Sequence, residues 1–450
     1  MKNRKTIRNV ALLCSATAVV ALSSSQVFAA GFEKALFWDA HYSGIAGAAQ
    51  SSVTGPQALY WNPAGLGGTE GIQVNGDFSP TLAKFNGNVP NVTNLLAAQG
   101  IPDGGSATGP FTTPVSSSTG FDPVGAVFAS YQVTDKMTAS IGYYVVGGTK
   151  ANYDSVPLNY PSTSPLNPPL QGNLAITELG LGAGYEVLPG LKLGASYRIT
   201  FFKADLDDAF VNPTNGTLMS LQYSGLSKTT FNGFKLGAMW EPKDAGYGFG
   251  LTWRSRVNVT TTTQNATLQT QSVGSPTTTT ITGTGSAGLN LPMRLDAAAH
   301  YTFMPAWTGY LGYSFTNLSQ SQQIGDEFDS SAVSFTNNIP LNWNNQSNIR
   351  VGLDYAGIQD WNLRAGYVWT NQVTPNGAAL PILAAPGTGN TYVIGAGHKF
   401  SSMLTGDVAF EYDRDSGTVA QTDITEPSRT ASGDYSAKDY VLHLSATLSL

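Results

Sequence analysis

Side chains that could do chemistry are scattered through this sequence and lack the spacings that catalysis or metal binding requires. The four histidines show no HExxH spacing, and no GxSxG nucleophile elbow occurs. The one cysteine, Cys14, lies near the amino terminus. Residues 283–288 fit a GxGxxG pattern, but they follow no buried strand and open no helix. These features predict no enzyme, no cofactor and no metal site.

The chemistry that remains is charge recognition by basic side chains at alternate positions of polar segments. A guanidinium or ammonium there could hold a carboxylate through charge-assisted hydrogen bonds. The candidates for ligand binding are Arg198, Arg254, Arg294, Arg350, Arg364 and Lys399. The alternative interpretation is structural, with these groups paired to Asp296, Asp354, Asp407 or Glu411, or anchoring another segment of the chain. An uncharged ligand would require no basic partner.

The elements that carry these residues have a period of two. Over residues 191–201, 292–304, 361–370 and 440–450, apolar and polar side chains alternate, which is typical of a strand with one apolar and one polar face. Segments of this kind start near residues 71, 123, 136, 174, 191, 228, 247, 291, 307, 348, 361, 391, 404 and 438, which predicts fourteen strands.

The connections between these strands alternate in length. Short turns join strands 2 and 3, 4 and 5, and so on to 12 and 13, whereas long polar or proline-rich segments make the intervening connections. This asymmetry is typical of a transmembrane β-barrel with short periplasmic turns and long outer loops. Aromatic residues near the strand ends agree with interfacial girdles. We therefore predict an all-β, 14-stranded antiparallel transmembrane barrel over residues 71–450, rather than an exported soluble β-protein.

Composition supports this class. Charged residues make up only 12% of the chain, about half the usual share of a soluble domain, and 50 of the 450 residues are glycine. No apolar run of about 18 to 20 residues occurs, so a helical membrane protein is excluded.

Residues 1–29 read as a secretory signal peptide. A basic start is followed by the apolar run 10–22 and by small residues ahead of a cleavage site after Ala29. Removing four basic residues with this segment changes the formal net charge from −6 to about −10, which argues against nucleic acid as a partner.

Residues 30–70 precede the first strand. They are rich in glycine, alanine and serine and carry several aromatic residues, so they suit neither an independent core nor a flexible linker. Because a barrel of this size has more interior than its own side chains fill, we expect this segment to form a plug, or hatch, in the lumen.

The hatch region also carries a family resemblance. The runs 41–49 and 58–66, with Asn62, Pro63 and Ala64 as their signature, resemble the hatch of the long-chain fatty acid transporter family of Gram-negative outer membranes, FadL and the toluene channels. Later segments at residues 291–292, 350–355 and 363–367 are similar to family strands, so the resemblance covers nearly the whole mature chain.

The resemblance implies passive uptake of long-chain fatty acids or other hydrophobic molecules across the outer membrane. It implies binding in apolar sites, hatch rearrangement and lateral exit at a kinked third strand, where Gly147 and Gly148 favour a bulge. It also places Phe32, as the third mature residue, in the ligand pocket. The expected partners are these ligands, outer-membrane lipid and lipopolysaccharide, and the barrel-assembly machinery, and the chain is expected to be a monomer.

Two alternatives remain beside this expectation. An aromatic-hydrocarbon channel of the same family would have the same fold, and pocket shape cannot be read from one sequence. A general polar-solute porin would need an open lumen rather than a plug.

Overall fold

The computed structural model describes residues 38–100, 111–212 and 214–450. Within these residues nineteen strands form one antiparallel sheet. Their bounds are β1 Ile72–Pro90, β2 Thr112–Ser116, β3 Gly120–Thr134, β4 Met137–Tyr153, β5 Leu170–Leu188, β6 Leu191–Val211, β7 Leu218–Trp240, β8 Tyr247–Arg254, β9 Val257–Gln271, β10 Thr278–Leu291, β11 Arg294–Met304, β12 Trp307–Thr316, β13 Gln323–Asp329, β14 Ser334–Pro340, β15 Gln346–Ile358, β16 Trp361–Thr370, β17 Thr388–Lys399, β18 Leu404–Val419 and β19 Gly433–Ser449.

Helical structure is short in this part of the chain. The α-helices are α1 Ala40–Gly44, α2 Ala58–Trp61 and α3 Val92–Ala98, and the 3-10 helices are Pro63–Gly68, Leu318–Gln320, Asn376–Ala378 and Gln421–Asp423. None of the helices in the described ranges is long and apolar enough to cross a bilayer.

The sheet closes into a barrel of fourteen staves, as the sequence predicts. The wall runs through β1, β3 to β8, β11, β12 and β15 to β19, and β19 pairs with β1 to complete the ring. Closure leaves no edge strand in the wall, which is what allows a sheet to exist in lipid. The remaining strands of the described residues extend the wall beyond the staves or form hairpins on it.

The alternation of side chains follows the wall. In β15, Ile349 and Val351 are exposed on the outer face, while Asn348 and Arg350 are buried on the lumen side. Exposed and half-buried aromatic residues collect beside the short turns, for example Trp240 with Tyr247 at a ring separation of 6.0 Å and Trp307 with Tyr355 at 4.5 Å. An apolar outer band with an aromatic rim is the pattern of a membrane barrel.

The two ends of the barrel differ. Short turns join β3 to β4, β5 to β6 and β11 to β12, whereas β6 and β7 continue to 21 and 23 residues, well past the ~9–11 residues that a tilted strand needs to cross. The threonine-rich tract of residues 259–286 forms most of the paired strands β9 and β10.

Packed connections join several strands at the long-loop end. The Arg429 guanidinium contacts the Asp208 carboxylate, donates to Asn337 Oδ1 at 2.6 Å and lies 4.1 Å from the centre of the Phe210 ring. The Asn337 amide in turn donates to Asp326. These contacts join β6, the β13–β14 hairpin and the β18–β19 connection over the mouth of the barrel.

Candidate functional site

The N-terminal segment, residues 38–70, lies against the lumen face of the wall. α1 contacts β16 to β19, and the 3-10 helix Pro63–Gly68 contacts β4 to β7. Most of its side chains are buried, including Trp38, Ile45 and Leu59. This segment is therefore packed against the wall, and its role as a hatch stays a prediction.

A row of glycines receives this segment. Gly184, Gly194 and Gly237 lie in register across β5, β6 and β7. A Cβ on Gly194 would collide with the backbone of Pro63, and one on Gly237 would collide with the Asn62 side chain. Glycine is required here because backbone meets backbone, so the row forms a trough that fixes the depth of the segment. We call these three residues the glycine trough.

The Asn-Pro-Ala motif sits in the trough. Asn62 caps the 3-10 helix, with its Oδ1 accepting from the Ala64 N–H at 3.1 Å, and Pro63 occupies the first position, where its missing N–H costs nothing. The Asn62 amide donates to the carbonyls of Gln50 at 2.7 Å and Ala238 at 3.1 Å. The motif therefore ties the segment both to itself and to β7.

Aromatic rings from the segment meet aromatic rings from the wall. The ring centre of Tyr60 lies 5.1 Å from that of Trp61 and 5.4 Å from that of Tyr144. The Tyr144 ring stacks on the Phe128 ring with 5.2 Å between their centres. The Trp61 indole donates to the Trp38 carbonyl at 2.8 Å. These five residues, the aromatic cluster, present an apolar surface to the β3–β4 side of the lumen.

The wall is interrupted beside this cluster. β4 pairs with β3 from Met137 only as far as Tyr143, although β3 continues to pair with β1 up to Gly120. On its other edge β4 pairs with β5 as far as Tyr153, with a bulge between Val145 and Gly147. The bulge that the sequence predicts at Gly147 and Gly148 is therefore present. We call the interrupted stretch between residues 120–126 and 144–151 the β3–β4 window.

A side chain of the N-terminal segment forms a hydrogen bond with β4 at the window. The Trp38 indole N–H donates to the Val145 carbonyl at 2.5 Å. In an intact sheet a strand carbonyl of this kind bonds to its neighbour, so the N-terminal segment supplies a substitute partner at the place where β3 does not.

A pair of prolines lies within the interrupted stretch. Pro123 of β3 lies opposite Pro80 of β1. Since neither has an N–H, this pair can occupy only a non-hydrogen-bonded position of the antiparallel ladder. The missing N–H of Pro123 would then have pointed toward β4, so β3 lacks a donor where β4 bends away.

Basic side chains line the opposite part of the lumen. Lys235, Arg254 and Arg294 lie in register on β7, β8 and β11. Lys235 donates to the Tyr60 carbonyl and lies 4.9 Å from the centre of its ring, and Arg254 donates to the Pro292 carbonyl at 3.1 Å. These three residues, the basic row, border a small cavity of about 20 Å³ with Gln50, Trp61, Thr252 and Asp296.

Carboxylates accompany several of the predicted binding residues. Arg294 meets Asp296 at 2.8 Å, and Arg350 meets the same carboxylate at 3.5 Å. Arg198 pairs with Glu178 at 3.0 Å, with both side chains fully buried. The structure thus places Arg198, Arg254, Arg294 and Arg350 on one arc of the wall, on β6, β8, β11 and β15, and pairs three of them with carboxylates of the same or a nearby strand.

The other predicted binding residues lie elsewhere. Arg364 contacts Asp354 at 3.2 Å and Asp407 at 2.7 Å, close to His41 at the short-turn side of the lumen. Lys399 is exposed at the end of β17. Phe32 and the expected signal peptide lie outside the described residues.

A buried serine–histidine–glutamate chain also occurs in the wall. His443 Nδ1 lies 2.8 Å from Ser79 Oγ, and His443 Nε2 lies 3.0 Å from Glu411. The Ser79 hydroxyl donates to Asp77, so its hydrogen is directed away from the imidazole that would have to accept it in a nucleophilic mechanism. All four groups are buried, and the chain links β1, β18 and β19.

Asp39 joins the N-terminal segment to this side of the wall. Its carboxylate accepts from the His41 N–H at 2.9 Å and from the Asn75 amide at 2.7 Å. Burial, followed by the negative charges of Asp407 and Asp77, raises the pKa of Asp39 to about 7. The docked segment therefore favours the neutral carboxyl.

The chain matches one protein family over nearly its whole length. A family model described as outer membrane protein transport protein (OMPP1/FadL/TodX) matches residues 20–450. No sequence among the curated proteins matches the chain significantly.

Solved structures share the fold. A Pseudomonas aeruginosa FadL homologue is 18% identical, with a TM-score of 0.69 over 93% of this chain and 100% of that one. The P. putida toluene transporter TodX is 16% identical, with a TM-score of 0.70 over 92% and 98%. The CymD monoaromatic hydrocarbon channel is 14% identical, with a TM-score of 0.64 over 95% and 99%.

Proposed function

This chain belongs to the OMPP1/FadL/TodX family of outer-membrane transport proteins for hydrophobic compounds, and from that premise we propose that it takes up long-chain fatty acids by passive diffusion. In this proposal the ligand enters from the long-loop end and binds against the aromatic cluster. It then leaves sideways through the β3–β4 window into the bilayer. The N-terminal segment acts as the plug that blocks a straight path to the periplasm.

One observation carries this proposal. The lumen is occupied by residues 38–70, while the wall loses its ladder above the Val127–Tyr143 pair, beside an apolar surface. A hydrophobic molecule that moves from that surface into lipid stays out of contact with water, whereas an aqueous exit would expose its apolar surface at a cost in free energy. The lateral route therefore favours a hydrophobic solute and does not favour a polar solute such as a sugar.

The basic row favours a carboxylate on the ligand. Like charges placed directly opposite on neighbouring strands destabilise a sheet, and Lys235, Arg254 and Arg294 are placed in this way. An anionic head group near Gln50 would reduce that repulsion through charge-assisted hydrogen bonds. Movement of Tyr60, whose carbonyl accepts from Lys235, would then couple head-group binding to the N-terminal segment.

A specific observation also supports a second candidate, uptake of monoaromatic hydrocarbons. Four rings of the aromatic cluster pack edge to face or stacked on one another, and a small ring that enters between them can stack without any charged partner. In this alternative the basic row is structural, and Arg294 serves to hold Asp296.

The remaining expectations are part of the same proposal. Residues 1–29 act as a cleaved signal peptide, and Phe32 reaches into the ligand pocket. Insertion of the chain uses the barrel-assembly machinery, its loops face lipopolysaccharide, and it works as a monomer.

Uptake by cells that lack other channels of this family tests the proposal. The chain should raise the uptake of radiolabelled oleate by about tenfold over an empty vector and leave a small sugar unchanged. Faster uptake of toluene with no change for oleate would select the second candidate. Uptake of the sugar alone would contradict both.

A further inference from the structure

An ion pair crosses the β3–β4 window. Lys150 Nζ of β4 lies 2.7 Å from Asp122 Oδ1 of β3, beyond the last ladder pair between these strands. The Asp122 side chain is only 5% exposed, and that of Lys150 is 24% exposed. The pair therefore joins two stretches of wall that their backbones leave unpaired.

The surroundings fix the pair in place. A Cβ at Gly120 would find the Lys150 stem as its nearest neighbour, at 3.7 Å, so the lysine passes along β3 beside a position without a side chain. Farther along the strands, the Ser118 N–H donates to the Asn152 carbonyl at 3.0 Å. The window is thus bounded below by the Val127–Tyr143 pair and above by the Lys150–Asp122 and Ser118–Asn152 contacts.

We propose that Lys150 and Asp122 form a latch that holds the upper part of the window closed and must part when a ligand leaves. This inference rests on the proposed lateral exit. A β-ladder spreads its hydrogen bonds over many residues and does not open locally at low cost, whereas one ion pair between two side chains can separate and re-form as a unit.

The position of the pair sets what it controls. Because Asp122 is buried, breaking the pair leaves a carboxylate without its ammonium in a poorly hydrated place, which disfavours the open state. Lys150 lies three residues beyond Gly147, where the bulge ends, so a swing of this part of β4 carries the ammonium away from β3. The latch therefore controls whether the window is open, and it lies on β3 and β4, away from the basic row on β7, β8 and β11.

Covalent closure of the latch gives the sharpest test. The only native cysteine, Cys14, lies in the expected signal peptide, so Asp122→Cys with Lys150→Cys can be joined by a short bifunctional thiosulfonate reagent. Oleate uptake should fall at least about fivefold on cross-linking and recover on reduction. The same variant treated with a monofunctional reagent is the control. Unchanged uptake after complete cross-linking would overturn the latch.

Single substitutions test the opposite direction. Lys150→Met should raise the rate of oleate uptake by about twofold to threefold, because the closed window loses its ion pair. The exchanged pair Lys150→Asp with Asp122→Lys should return the rate toward that of the unmodified chain. Lys84→Met, at an exposed lysine of β1, is the matched control. A fall in uptake with Lys150→Met in a correctly folded, heat-modifiable barrel would overturn the latch.

The latch and the proposed function fail in different ways. If the unmodified chain takes up no hydrophobic compound, both are overturned. If it takes up oleate and the cross-linked variant does so equally well, only the latch is overturned.

Discussion

The two edges of β4 behave differently although they belong to one strand. Toward β5 the ladder continues from Met137 to Tyr153 and absorbs a bulge, whereas toward β3 it ends at Tyr143. On the intact edge every residue of β4 except Val146, the extra residue of the bulge, lies in register with a residue of β5. On the interrupted edge the Trp38 indole and the Lys150 ammonium supply contacts instead.

The difference shows how a closed barrel can carry a lateral opening. The bulge at Val146 adds one residue to β4, and β5 accommodates it. On the far edge the ladder to β3 has already ended, and Pro123 has no N–H to donate there. A continuous edge keeps the strand in the wall, and an interrupted edge gives the exit.

Removing the bulge should have the largest effect, because it should abolish the difference between the two edges of β4. Deletion of Val146 restores the register with β5 and brings β4 back toward β3, so oleate uptake should fall at least about tenfold. Uptake by whole cells measures the effect. Deletion of Asn265, within the irregular pairing of β9 with β10 and away from the window, is the matched control and should leave uptake unchanged. Equal rates for the two deletions would contradict the role of the window.

A side chain placed in the glycine trough should displace the N-terminal segment and let ions pass straight through the lumen. Gly194→Val places a side chain where the Pro63 backbone lies, and an overpacked contact of this kind costs about 1–3 kcal/mol, so the N-terminal segment should leave its seat. Conductance in planar bilayers should rise severalfold. Gly309→Ala, where a Cβ meets nothing nearer than 3.6 Å, is the control and should conduct like the unmodified barrel. No rise for Gly194→Val would argue against a plug.

The basic row should distinguish charged from neutral ligands. Lys235→Met should lower oleate uptake by about fivefold and leave uptake of an uncharged aromatic compound within about twofold, because only the carboxylate loses a charge-assisted contact. Lys399→Met, at an exposed position, should change neither. An equal loss for both ligands would assign Lys235 a structural role.

The smallest expected effect is a pH dependence at Asp39. Its pKa is raised from 3.8 to about 7, so the neutral carboxyl stabilises docking of the N-terminal segment. That contribution is complete below about pH 4 and is lost as the pH rises through about 7. Leak conductance should therefore increase about twofold between pH 5 and pH 8. Asp39→Asn should remove most of this change, and a persisting slope would point to another group.

Much of the fold could be predicted because its signals are local. The period of two and the unequal connections indicate fourteen staves. The two glycines at 147 and 148 indicate the bulge that lies beside them. The pairs of Arg294 with Asp296 and of Arg364 with Asp354 and Asp407 were also among the sequence interpretations.

The rest depends on register, which one sequence does not contain. The glycine trough appears only when three strands are aligned, and the direction of the missing Pro123 N–H follows only from its position opposite Pro80. Lys235 meets Arg254 and Arg294 for the same reason. A proline within one predicted strand, followed by two glycines in the next, was the signal that could have located the window.

Photolabelling of the route tests the central claim most directly. A long-chain fatty acid carrying a diazirine would be added outside intact cells, activated by light during uptake, and its adducts located by mass spectrometry. The account predicts adducts on both sides of the β3–β4 window, at peptides containing Val124 and Val145, and their loss on deletion of Val146. Adducts confined to the short-turn mouth near His41 and Lys399, unchanged by that deletion, would contradict lateral exit.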